Sequence, residues 1–399
     1  MKKEILFICN NLNCGGAEKA LISLLQSIDY SKYNVDLFVF RHEGVFFENV
    51  PKEVTILKEE KIVSYLYSST KSALSRAIKN LNFKAIYLRI ALFFLSKKYK
   101  SGVIIEQYFW KHYAKALPKL NKSYDVAIGF QEKNPIYFCV DKVTASLKIG
   151  WIHTDLEKLE IDLDNELYYF DKLNYITTVS DGLSDRLKMK LPQFASKITT
   201  IENIISSRII NDLSKEAINF KFDNDYFNII YVGRIAQEKG LFMGLEAVTL
   251  LVKKGFKIRW YLIGEGNQKE QLIDIANKNN VANSLFFLGL KSNPYPYILN
   301  ADCFLLPSFY EGKSISLEEA KLLHKPIVIT NFSSAQDQIK DGFTGLIAAM
   351  DANAIASKLE QLISDEKLQL SFKDNLKNSV IGTEQEVLKF YNLINNGQS

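Results

Sequence analysis

The stretch Pro307-Ser308-Phe309-Tyr310-Glu311-Gly312-Lys313-Ser314-Ile315-Ser316-Leu317-Glu318-Glu319-Ala320 sets one carboxylate in a loop and a second in a helical pattern. The apolar run Cys303 to Pro307 reads as a buried strand, and a helix opens near Ser314 with Glu319 in its second turn. A strand that empties through a polar loop into a helix is a βα unit of a parallel sheet, and such sheets bind ligands at the carboxyl ends of their strands. There the loop carboxylate Glu311 suits a sugar hydroxyl and Glu319 the hydroxyls of a ribose. N–H groups at the helix start suit a phosphate. The plain alternative for Glu319, beside Glu318, is a solvated helix face.

Outward from this element, β-rich runs alternate with helical patterns along nearly the whole chain, so the class is α/β with largely parallel sheets. Ile5–Asn10, Val35–Phe40, Val54–Leu57, Asp125–Phe130, Ile149–His153 and Ile176–Ser180 form a first strand series, followed by a strand-like Ile198–Ile201. Ile229–Val232, Arg259–Ile263, Leu285–Leu288, Cys303–Pro307 and Ile327–Thr330 form a second. A polar segment from Ser206 to Tyr226 separates them. With 399 residues, two domains are expected, 1–205 and 206–379, with a helix in 380–399 packing back on the first.

Three further strand ends carry candidate chemistry. Val232-Gly233-Arg234, followed by Gln237-Glu238-Lys239-Gly240, delivers two cations that suit a diphosphate; a surface Arg and Lys is the bland reading. Asn13-Cys14-Gly15-Gly16-Ala17-Glu18 leads into a helix whose N-terminus and two glycines suit an anion, though a plain tight turn reads equally well. It is neither a Gly-x-Gly-x-x-Gly fingerprint nor a P-loop, so a dinucleotide or ATP site is not supported. Ile149 to Asp155 empties an apolar strand into a polar loop at His153, which suits either hydrogen bonding to a substrate or proton acceptance, with a structural histidine as the alternative. Asp162-x-Asp164 and Asp223-x-Asp225 imitate a metal-holding pattern, but neither follows an apolar strand, and solvated loops explain them.

Composition narrows the setting. Four scattered cysteines (Cys9, Cys14, Cys139, Cys303) form no disulfide or zinc pattern, which points to a reducing compartment. No leader-like start is visible, and the longest apolar run, Ile86 to Leu95, contains Arg89 and is too short to span a bilayer. Net charge is +5, yet residues 58–122 hold fourteen Lys/Arg against three Glu, interleaved with Tyr65, Tyr67, Phe83, Phe93, Phe94, Phe109 and Trp110. That mixture fits an anionic membrane surface or, equally, solvated helix faces. No nucleic-acid motif accompanies it, so no nucleic-acid partner is expected.

Taken together these residues resemble the retaining glycosyltransferases of family 4, which have the GT-B fold of two Rossmann-like domains facing each other across a cleft. Glu311 and Glu319 match the family's Glu-x7-Glu element, and Val232-Gly233-Arg234, Lys239-Gly240, Gly264-Glu265-Gly266, Phe287-Leu288-Gly289 and Ala301-Asp302 with Leu306-Pro307-Ser308 occur in the family's order. The resemblance implies a nucleotide-sugar donor, by family frequency a UDP-sugar. Its diphosphate would lie on Arg234, Lys239, Gly15, Gly16, Ser314 and Ile315. The sugar and ribose would fall to Glu311, Lys313 and Glu319, and the base to Leu290, Lys291 and Gly264. Glu311 and His153 would be the catalytic pair, with no metal and no cofactor. Lys313 and Ser314 replace the commoner Phe and Gly of the family's loop, a variant that also occurs in bacterial surface-polysaccharide enzymes. With the basic stretch 58–122, the expected acceptor is a saccharide on a polyprenyl lipid, and the expected setting is cytoplasmic, peripheral on the inner membrane face. A catalytically silent partner subunit and a nucleotide-sugar 2-epimerase are the alternatives. A silent partner usually loses the carboxylates or the cationic pair, and all four are present here.

Overall fold

The computed structural model describes residues 2–13, 15–159, 161–379 and 382–396. Cys14 of the Gly-Gly turn and residues 380, 381 and 397–399 of the expected terminal helix lie outside the described residues. The chain forms two compact units. One comprises Met1–Asn13, Ala17–Asn203 and Gln385–Ser399, the other Cys14–Gly16 and Ile204–Glu384.

The first unit holds seven strands: β1 (Lys3–Cys9), β2 (Tyr33–Val39), β3 (Val54–Ile56), β4 (Ser123–Gly129), β5 (Thr144–Ile152), β6 (Tyr175–Thr178) and β7 (Ile198–Thr200). They pair in parallel in the order β3-β2-β1-β4-β5-β6-β7. The central β1 is apolar on both faces, with Ile5, Leu6, Phe7 and Ile8 fully buried, as a sheet covered by helices on both sides requires. The order reverses between β1 and β4, which opens a crevice at the carboxyl ends of those two strands. Gln131 closes its floor: its side-chain oxygen accepts from Asn10 N (2.9 Å) and its amide donates to Glu18 (2.9 Å).

The second unit holds β8 (Phe227–Val232), β9 (Ile258–Ile263), β10 (Leu285–Gly289), β11 (Cys303–Leu306), β12 (Ile327–Thr330) and β13 (Leu346–Ala348), all parallel, in the order β10-β9-β8-β11-β12-β13. Its switch point lies between β8 and β11, the strands that carry the Val-Gly-Arg and Pro-Ser-Phe-Tyr-Glu motifs. The edge strand β13, three apolar residues, was not among the expected strands. The expected strands also ran one or two residues long: Asn10, Phe40, Phe130, His153 and Pro307 lie just past strand ends.

Between β3 and β4 run four helices, Val63–Tyr67, Thr70–Lys79, Phe83–Lys98 and Gly102–Ala116, in place of strands. Among the described residues no helix is long and apolar enough to cross a membrane. The last helix, Glu386–Asn396, belongs to the first unit. Phe390 is fully buried, its ring 6.0 Å from Phe7 and 6.3 Å from Trp151, and Tyr391 stacks on Tyr33 at 5.3 Å.

Candidate active site

In the second unit three loops converge at the carboxyl ends of β8, β9 and β10 because their glycines allow it. Gly264 has φ +146°, and a Cβ there would stand 1.9 Å from Gly233 O; one on Gly266 would stand 2.1 Å from Ile235 O. The loops are stitched by Gly233 N to Ile263 O (3.0 Å), Ile235 N to Glu265 O (3.0 Å) and Gly264 N to Gly289 O (3.0 Å). Gly264 therefore sits beside the end of β10, where Leu290 and Lys291 follow; the Lys291 ammonium lies 5.5 Å from the Tyr297 ring. The main chains of the three loops are thereby held against one another, which suits a ligand that lies close to the backbone.

Lys239 and Glu311 meet on the other side of the switch point. Lys239 Nζ lies 2.8 Å from Glu311 Oε1, and their side chains are 18% and 10% exposed. Ser308, fully buried, donates its hydroxyl to the same oxygen at 2.7 Å. Gly240 brings the two segments together: it adopts φ +61°, and a Cβ on it would stand 2.0 Å from Pro307 O. Phe309 N also donates to Glu238 O at 2.9 Å. Arg234 stands apart from this pair, 65% exposed and 2.8 Å from Glu238 Oε1. An exposed pair of this kind is weak, so the guanidinium is readily available to an anion.

The loop after Glu311 is held from behind by residues that its own sequence does not announce. Ser334 donates its hydroxyl to the carbonyls of Glu311 (2.9 Å) and Gly312 (2.8 Å). Buried Gln338 donates to Gly312 O (3.3 Å) and accepts from Ser314 N (2.9 Å). Ser314 precedes the helix Ile315–Leu322, so in this state its expected anion-binding N–H is turned to Gln338. The N–H groups of Ile315 and Ser316, inside the first turn, have no carbonyl a turn earlier in the helix to bond. Lys313 is half-buried in the loop. Glu319 is buried rather than solvated, and Tyr295 donates its hydroxyl to Glu319 Oε1 at 3.0 Å. Burial and the adjoining carboxylate push the Tyr295 phenol well above its ordinary range.

In the first unit His153 lies just beyond β5. Its N–H and that of Thr154 both donate to Glu132 Oε1 at 2.6 Å, and its ring packs 4.9 Å from Phe130. Desolvation pulls the imidazole down to about 3, opposed by its hydrogen bond to the Phe130 backbone, so at neutral pH it is uncharged. An uncharged imidazole can accept either a hydrogen bond or a proton, so both roles read for His153 stay open, and its lowered pKa makes it a weak base. Nε2 is buried without a hydrogen-bond partner among the described residues. Glu132 is raised by the same burial, partly offset by the backbone N–H groups it accepts. Gly16 opens the helix Gly16–Ser27, directly after Gly15.

The second unit thus gathers Arg234, Lys239, Glu311, Lys313, Ser314, Ile315 and Glu319 along neighbouring loops and places Gly264, Leu290 and Lys291 at the adjoining strand ends. Ser334, Gln338, Tyr295 and Glu132 are the additions. Gln338 and Tyr295 each lie 24 residues from the partner they hold, with no motif linking them.

Residues 214–379 match the family described as glycosyl transferases group 1. The chain is 33% identical over 158 residues to the capsular polysaccharide biosynthesis glycosyltransferase CapM of Staphylococcus aureus, covering 39% of this chain and 41% of CapM. It spans about two-fifths of the length of several other curated relatives as well. A match over 94% of this chain and 92% of the relative, at 26% identity, is to the GalNAc-alpha-(1->4)-GalNAc-alpha-(1->3)-diNAcBac-PP-undecaprenol alpha-1,4-N-acetyl-D-galactosaminyltransferase of Campylobacter jejuni. Among solved structures, Anabaena HepE in complex with UDP and glucose superposes with a TM-score of 0.67 at 13% identity, covering 98% of this chain and 99% of HepE. Residues 214–379 belong to the glycosyl transferases group 1 family, and the two parallel-sheet units have the GT-B fold.

Proposed function

We propose that this protein is a glycosyltransferase that moves a sugar, with retention of configuration and without a metal, from a UDP-sugar to a saccharide carried on a polyprenyl diphosphate. It would do so in surface-polysaccharide synthesis, peripheral on the cytoplasmic membrane face through residues 58–122. The observation that carries the reading is the Lys239–Glu311 pair at the β8/β11 switch point, with the exposed Arg234 on the same loop after β8. A departing nucleoside diphosphate gains negative charge as the glycosidic bond breaks. Two preorganised cations and the first N–H groups of the helix Ile315–Leu322 can meet that charge without Mg²⁺. Glu311, fixed by Lys239 and Ser308, serves to orient the sugar and to stabilise positive charge at its reacting carbon. The leaving phosphate acts as base on the attacking hydroxyl from the same face. Buried Glu319 takes the ribose hydroxyls, and neutral His153 is a hydrogen-bond partner for a saccharide hydroxyl. CapM and the C. jejuni transferase, by their names, act in capsular and undecaprenol-linked saccharide synthesis, which supports this class of acceptor.

The direct test is thermal stabilisation by UDP-, GDP-, ADP- and TDP-sugars, because a ligand specific for the native state raises Tm. A UDP-sugar is expected to shift the wild type, in EDTA as in Mg²⁺, and to lose about tenfold or more in affinity on Lys239→Ala or Arg234→Ala. No shift with any sugar nucleotide would overturn the reading.

A further inference from the structure

The helices Thr70–Lys79 and Phe83–Lys98 present an apolar face that the first unit leaves largely exposed, with Tyr87 also bonded through its hydroxyl to His112 Nδ1 at 2.5 Å. Phe83, Tyr87, Ile90 and Phe94 are all exposed, at spacings of four, three and four residues, so at about 100° per residue they form one line along the helix. Ala85, Leu88 and Ala91 on other sides of the same helix are buried, so the exposed line is additional to the face that packs. Phe93 and Ile78 extend it, and the turn between the two helices adds Leu81. Leu81 is 73% exposed, Phe83 74% and Phe94 64%. Leu81 has φ +50°, a left-handed conformation that either flanking asparagine would adopt more readily. Placing the leucine there costs backbone strain, and the folded chain does not bury its side chain in return.

Charge identifies what covers this face. From Lys61 to Ile105 the chain carries nine Lys/Arg and no Asp or Glu. Lys97 and Lys98 continue the exposed line at its carboxyl end, with the Lys97 ammonium 4.6 Å from the Phe93 ring. Aromatic side chains bounded by lysines match the acyl–headgroup boundary of an anionic leaflet. A second copy of the chain would set like charges against each other around the same patch. We propose that Leu81, Phe83, Tyr87, Ile90 and Phe94 insert into an anionic lipid surface, with the Phe83–Lys98 helix lying in the plane of the interface. This deepens the membrane reading above by naming insertion, rather than surface charge alone, as the mode of binding.

Flotation of the full chain with phosphatidylglycerol–phosphatidylcholine vesicles tests it. Wild type is expected to float, to stay bound in high salt, and to lose at least tenfold in binding on combined Phe83→Ser and Phe94→Ser. Tyr87→Trp is expected to be quenched by lipid brominated in the acyl chains. Unchanged flotation of the double variant, release of the wild type by salt, or an unquenched Trp each overturns insertion. A concentration-dependent dimer that disperses in the double variant, with no flotation of the wild type, overturns it in favour of self-association. The UDP-sugar shift is read on the same samples. Vesicle binding without a shift would sink the transferase reading alone, whereas a preserved shift in the non-floating variant shows that its fold and donor site are intact.

Discussion

Glu311 accepts from two donors, Lys239 and Ser308, on one oxygen, which fixes the carboxylate that the proposed reaction uses to orient the sugar. Loss of that group removes an interaction made most strongly when positive charge develops. Glu311→Ala is therefore expected to lower turnover by ~100-fold or more, with a much smaller change in donor KM. Steady-state kinetics with saturating donor measures the split, and unchanged turnover would remove Glu311 from the reaction. The pair it forms was partly legible: Lys239 and Glu311 belong to separate motifs 72 residues apart, each placed at the end of an apolar strand. Their direct contact was not, because it depends on how β8 and β11 neighbour each other across the switch point. His153 marks a second limit. Its place at a strand end could be read from the sequence, but its uncharged state follows from burial against Phe130, which no local pattern encodes.

At the scale of elements, the βα loops of the second unit work as a set because glycine lets main chains approach where any side chain would collide. Gly240 is the tightest test: it ends one loop in the left-handed region and faces Pro307 O of the next. Gly240→Ala is expected to cost about 3 kcal/mol, from the positive φ and the Cβ collision together. It should also weaken UDP-sugar binding by displacing Lys239. Differential scanning fluorimetry with and without the nucleotide reads both, and a variant as stable as wild type would contradict the packing described. Most strands were legible because buried parallel strands are near-continuous apolar runs, as in Ile5–Ile8 and Ile229–Val232. The β13 edge and the support from Ser334 and Gln338 were not. The Leu346–Ala348 run is as long as β3 and β7, which were read, and went unassigned; a side chain that steadies a loop from another segment leaves no periodic trace.

Over the whole molecule, the chain returns to where it began. Phe390 fills space between Phe7 of the first strand and Trp151 of the fifth, and Lys3 donates to Ile394 O at 3.1 Å. Phe390→Ala is expected to destabilise the first unit by ~3–5 kcal/mol, lowering its melting transition by ~10 °C. Calorimetry with saturating UDP-sugar separates the units, since the second should keep its ligand-dependent transition. An unshifted first transition would show that the helix adds nothing to that core. The helical pattern within 380–399 reads as a returning helix, but the aromatic pocket that receives it is assembled from Phe7 and Trp151, 144 residues apart in the chain and far beyond the reach of local periodicity. Because the ribosome releases the chain from its amino end, β1 waits for a helix that is made only after the whole second unit. The second unit has emerged in full before the helix that closes the first is synthesised. Nascent molecules therefore carry an open apolar socket until residues 386–396 have been made, and a chain stopped before Glu386 is expected to fold its later-made unit while the earlier-made one remains a substrate for chaperones and proteases.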